Sequence, residues 1–252
     1  MLDSYFLTTI GPLRGTHDSI EAHALAVLTS RERRVLPRFS AMRIFSGPLG
    51  PDTLWLIGRL PADCSRYDPV HCAGRALEEC QRLFRSVRTS RSAVGRAHAT
   101  GQLAHMLADL CDPAHHVGRP GFERVRIFGL PRTEHWIDPL TGPIWKRGEG
   151  HNHFEWLLAR TSVPESPTVV HGLIGERRAF FERRLRMQSV GVVLHEAALE
   201  IAQTGLWDSF LRGASIDDLR RPLVDHVILP ACGLIAACLS AASYDLLWRG
   251  AA

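Results

Sequence analysis

Residues 227–244 carry no charged side chain, and an uncharged run of 18 residues needs an apolar environment. Such a run either crosses a bilayer or forms the centre of a helical protein. Pro230, Gly233 and several small residues interrupt it, and Asp225 and Asp245 flank it. We read it as a fully buried helix, which needs other helices to enclose it. The chain offers them. Segments 18–28, 68–84, 92–111, 172–186, 190–203 and 215–247 space their apolar residues helically. A further helix is expected from His151, carrying Phe154, Leu157 and Leu158. Asp18 followed by Glu21 resembles a capping box, and Asp68-Pro69 reads as an N-cap with proline at the first helical position. Pro230 is expected to kink the last helix. Strand signals are confined to 53–57 and 124–128. Helix after helix with almost no alternation predicts an all-α, single-domain helical bundle over residues 1–252. Two long stretches, 31–67 and 116–150, read as irregular, and loops of that length usually carry function.

Composition narrows the class. The chain is 45% hydrophobic and 22% charged, which excludes disordered and fibrous classes. Its net charge of +4 over 252 residues is mild: it tolerates phosphate ligands without demanding nucleic acid. Lys146 is the only lysine. The six cysteines form no CxxC pair, so neither a disulfide framework nor a cysteine-based zinc site is expected. The first ten residues lack a basic and apolar leader, so a cytoplasmic location is the default expectation.

There are 13 histidines, and their spacing is informative. In the helix ending near Cys111, the polar residues His98, Gln102, His105 and Asp109 form one stripe on an otherwise apolar surface. A buried carboxylate is costly unless it is paired or binds a metal. Two readings of His105 and Asp109 follow: a hydrogen-bonded core pair, or metal ligands. The break at Pro113 can swing His115 back towards the same stripe. His151 and Glu155 repeat the four-residue spacing. Nitrogen and carboxylate ligands without thiolate suit a catalytic zinc or similar ion with open positions.

The segment HMLADLCDPAH, from His105 to His115, resembles the HxxxDxxxPxH signature of zinc-dependent phospholipase C and the related single-strand nucleases. HNHFEWL, from His151, is similar to their HxxxE element, and GTHDSIEAHAL, from Gly15, to their N-terminal helix. The resemblance implies an all-α bundle holding two or three zinc ions. It implies that Asp109 bridges two ions, with His105 on one and His17 on the other. His115, His151 and Glu155 would hold the more open ion. An upstream aspartate and histidine complete the pattern, here Asp52 and His71, with Asp63 and Asp68 as competitors for the aspartate. The catalytic carboxylates would be Asp52 and Asp109. The family's secreted members also use a freed N-terminus as a ligand, and no signal sequence is visible here.

Other letter matches carry less. His151-Asn152-His153 is not a nuclease ββα unit, and His195-Glu196 lacks the second histidine of a zincin, since position 199 is Leu199. The basic stretch 116–150, with Trp136 and Trp145, is expected to border the cleft. The expected activity is phosphodiester hydrolysis of phospholipase C type, with a phospholipid as one candidate substrate. The alternatives are a nuclease or nucleotidase acting on single-stranded nucleic acid, and a metal-binding helical protein without catalysis. No protein partner is expected.

Overall fold

The computed structural model describes residues 15–51, 54, 59, 64, 66–116, 122–127, 130–138, 142–145, 154, 157, 158, 161 and 166–249. Helix α1, Gly15–Ala26, turns Ile20, Glu21 and Ala24 into the core. Helix α2, Ser30–Val35, starts at a true capping box: Thr29 Oγ1 accepts from the Glu32 N–H, and Glu32 accepts from the Thr29 N–H. Helix α3, Phe39–Ser46, buries Met42 and Ser46. Helix α4, Ala76–Thr89, buries Ala76, Cys80, Leu83, Phe84 and Val87, one face at helical spacing. Helix α5, Ala93–Leu110, begins at an N-cap on Ser92 and is buried on nearly every side beyond Ala97. A 3-10 turn, Pro113–His115, follows it, capped by the Asp112 side chain.

Strands β1, Phe122–Ile127, β2, Leu130–Asp138, and β3, Gly142–Trp145, form an antiparallel meander in that order. Phe122 lies opposite Trp136, and Trp136 opposite Trp145. The remaining helices are α6, Pro167–Met187, α7, Val190–Gln203, α8, Leu206–Leu211, α9, Ile216–Leu223, and α10, Leu229–Arg249. Serines 166, 189 and 215 cap α6, α7 and α9.

Helix α10 is the centre of the packing. It lies along α6 and also meets α1, α2, α4 and α5. The run Asp217–Tyr244 is long and apolar enough to cross a membrane, yet 83% of its most apolar window is buried inside the molecule. That agrees with the reading of residues 227–244 as a core helix. Between α9 and α10, Val224–Ile228 form a π-helical turn. This turn lies directly before Pro230, whose ring would otherwise meet the carbonyl four residues earlier.

The described residues are mostly helical, in keeping with an all-α body, but four local expectations change. Stretch 31–67 is not wholly irregular, since α2 and α3 lie inside it. Stretch 116–150 holds the meander rather than loop alone. The helix expected from Asp68 begins only at Ala76. Asp68 Oδ1 instead accepts from the backbone N–H of Val70 and His71, closing a turn, and Cys72 takes φ 51°. Asp18 and Glu21 do not form a capping box. Asp18 pairs with Arg43 at 2.7 Å, while Glu21 is fully buried. Most of the strand expected at 53–57 falls outside the described residues, and Leu54 is helical.

Candidate metal centre

Three elements bring imidazoles around one carboxylate. Asp109, in the last turn of α5, is 2% exposed. His105 precedes it by four residues, so both project from one face, and their Nε2 and Oδ2 atoms lie 3.4 Å apart. His17, from α1, brings its Nε2 to 3.4 Å from Asp109 Oδ1. His115, at the end of the 3-10 turn, brings its Nε2 to 3.5 Å from the same oxygen. The His17 and His105 rings stack 4.0 Å apart and almost parallel.

These separations are long for hydrogen bonds, and neither Asp109 oxygen has a hydrogen-bond partner among the described residues. They match another geometry. Two ligands about 2.1 Å from one tetrahedral ion stand about 3.4 Å from each other. His17, His105 and Asp109 thus form a group that could hold a metal ion, their ligand atoms all within 4.8 Å of one another. Asp109 presents one oxygen to His105 and the other to His17 and His115.

The surroundings prepare the ligands. His105 Nδ1 donates to the Ser46 carbonyl at 2.8 Å, which holds the ring with its Nε2 turned towards Asp109. Burial pushes the Asp109 carboxyl up, but His115, His105 and His17 outweigh it and hold the group below its ordinary value. Glu21, one turn beyond His17 on α1, behaves oppositely: burial raises its pKa to about 8, only partly offset by the Ser46 hydroxyl and His105. Ser46 Oγ donates to Glu21 Oε2 at 3.0 Å, and Glu21 Oε1 has no partner among the described residues.

Of the sequence-derived ligands, the structure brings together His17, His105, Asp109 and His115. His71 is bound within its own segment. Its ring bonds Asp68 Oδ2 at 2.6 Å and its side chain is 71% exposed. The local turn built by Asp68 explains this, because it ties His71 to its own segment. Asp52, His151 and Glu155 lie outside the described residues. Phe154, Leu157 and Leu158, the apolar side of the His151 segment, are buried as expected. His98, on the same stripe as His105, packs edge-on against Phe45 instead. His116 is buried and bonds the Leu110 carbonyl at 3.1 Å. His195 meets the Tyr67 hydroxyl at 2.8 Å, and Glu196 pairs with Arg184.

Sequence reasoning missed Glu21. The signal existed, since His17 and Glu21 have the same four-residue spacing as His105 and Asp109. No family model, no curated protein and no solved structure matches the chain.

Proposed function

We propose that this chain is a zinc-dependent phosphodiester hydrolase of phospholipase C type, folded as a helical bundle of the kind that family uses. The observation that carries the reading is the trio of imidazole nitrogens 3.4–3.5 Å from a buried Asp109, whose oxygens have no hydrogen-bond partner among the described residues. The cluster uses His105, Asp109 and His115 of the segment that resembles the family signature, with His17 supplied from the upstream helix in the matching order. Zinc at such a site lowers the pKa of bound water to about 7 and offsets charge developing on phosphoryl oxygens. Asp109 fixes the spacing of the imidazoles, and the Ser46 carbonyl fixes the tautomer of His105.

Metal analysis of the purified chain, with hydrolysis of a chromogenic phosphodiester before and after chelation, tests the proposal. The expected result is zinc bound at one ion or more per chain, and hydrolysis that chelation abolishes and zinc restores. Phosphatidylcholine should compete with the chromogenic substrate better than single-stranded DNA does. The reverse order would make the chain a nuclease. Bound zinc with no hydrolysis would leave a non-catalytic metal protein, and no bound metal would refute the reading altogether.

A further inference from the structure

We propose that Glu21 is a positioning residue of the metal centre, acting through Ser46 on His105. The inference rests on the metal reading above and adds a residue that the sequence resemblance does not assign.

The chain of contacts is short and buried. Ser46 Oγ donates to Glu21 Oε2 at 3.0 Å, and the Ser46 carbonyl accepts the His105 Nδ1–H at 2.8 Å. One residue therefore joins Glu21 to a metal ligand, its side chain facing α1 and its backbone facing α5. Ser46 is the last residue of α3, where helical carbonyls have no intrahelical partner. Its carbonyl is thus available to the imidazole, but only if the end of α3 is held in place. Three features hold it. Asp18 and Arg43 clamp α1 to α3 on the outer side, 2.7 Å apart. Glu21 and Ser46 clamp the same two helices on the inner side. Gly101 lets α5 approach, since a Cβ there would sit 2.3 Å from the Met42 carbonyl oxygen and 3.0 Å from the Ser46 nitrogen.

The cost of Glu21 argues that a role is served. A fully buried carboxyl with one oxygen lacking a partner among the described residues loses hydration that a leucine would not need. A core that needed only volume at this position would be more stable without it. What Glu21 supplies is an acceptor for Ser46, and with it the direction of the carbonyl that orients His105. Partners of this kind set the tautomer of a ligating histidine and typically change metal affinity by roughly 10–100-fold when removed.

The test compares Glu21→Leu, Ser46→Ala and Glu21→Gln with the parent chain. Zinc affinity is measured by chelator competition well below each melting temperature. The His105 tautomer is read from the imidazole 15N shifts of the metal-free proteins. Glu21→Leu and Ser46→Ala should each weaken zinc binding roughly 10–100-fold and admit the second His105 tautomer. Glu21→Gln keeps an acceptor for Ser46 and should stay within about threefold of the parent, with a single tautomer. Parent-like affinity and tautomer in both Glu21→Leu and Ser46→Ala would overturn the inference, leaving Glu21 a structural group only. If Glu21→Leu does not fold, Ser46→Ala decides, because it removes the same contact with a smaller change. If the parent chain binds no zinc, the metal reading fails, while the tautomer in the metal-free variants still decides whether Glu21 orients His105.

Discussion

Asp109 and Glu21 are both buried carboxyl groups near His105, and their proton affinities move in opposite directions. Three histidines beside Asp109 hold its carboxyl below the ordinary value, whereas Glu21 has one hydroxyl and is pushed up to about 8 by burial. Replacement of Asp109 with asparagine should leave the helical circular dichroism intact. It should remove at least one ion per chain and lower phosphodiester hydrolysis on the order of a hundredfold, the scale of a lost electrostatic contribution. Wild-type-like metal content and activity in that variant would refute the assignment. Glu21 makes a separate prediction about pH. The unfolded chain releases this proton near pH 4.5, while the folded chain keeps it to about 8. The folded state therefore binds more protons across that interval, and stability falls as pH rises through it and levels off above about 8. Glu21→Gln cannot ionise, so urea denaturation of the metal-free variant should show a flatter pH dependence between those limits than the parent. Glu21 was hard to read because its partner, Ser46, lies 25 residues away in a stretch that reads as loop. His105, Asp109 and His115 were readable because each belongs to a local spacing that helical or turn geometry converts into direction, whereas His17 came only from the resemblance of its segment.

At the scale of elements, the junction of α3 with α5 controls the site. Its closeness depends on Gly101, and a second glycine, Gly50, lets the chain pass over the Ser46 carbonyl, where a Cβ would lie 2.2 Å from the oxygen. Gly101→Ala should therefore push α3 outward. We expect a loss of about 1–3 kcal/mol in urea denaturation, the usual cost of overpacking. Weaker zinc binding should accompany it, because Ser46 moves with α3. Unchanged affinity with reduced stability would show that α3 shifts without disturbing His105. The sequence shows long helices well and short ones poorly. Helix α5 has 18 residues and a continuous apolar surface, whereas α2 has six residues, none of them buried. A helix so short is stabilised by its cap and its neighbours rather than by its own periodicity. The segment from Asp68 fails for a related reason. Its N-cap chemistry is real, but the Asp68 carboxylate spends it on a tight turn, and His71 remains at the surface.

The whole molecule is organised around α10. Leu234 is completely buried, and Leu234→Ala should cost about 2–5 kcal/mol in chemical denaturation, as truncation in a packed core does. A change below about 0.5 kcal/mol would mean that the residue faces something other than the protein interior. The uncharged run made this core helix the most legible feature of the sequence, whereas the helices that meet it could not be assigned from periodicity alone. Polar ties reinforce its distal part. Arg178 of α6 reaches Glu32 at 2.6 Å and the Val27 carbonyl at 2.6 Å, and Ser240 of α10 donates to the same Glu32 oxygen. Burial pushes the Glu32 carboxyl up, but Ser240, Thr29 and Arg178 hold it below its ordinary value.

The described cluster residues, His17, His105, Asp109 and His115, all lie within the first 116 positions, yet the helix behind them begins at Leu229. Cys232 donates to the Ile20 carbonyl across a separation of 212 residues. The α10 side of the cluster's surroundings is therefore built from contacts of large sequence separation, which a chain must close a long loop to make. A fragment ending at residue 116 would contain each of these four side chains and still lack α10, which packs against both α1 and α5. If the proposed zinc site is right, zinc added to such a fragment should bind far more weakly than to the whole chain, because the imidazoles would lack a preset geometry.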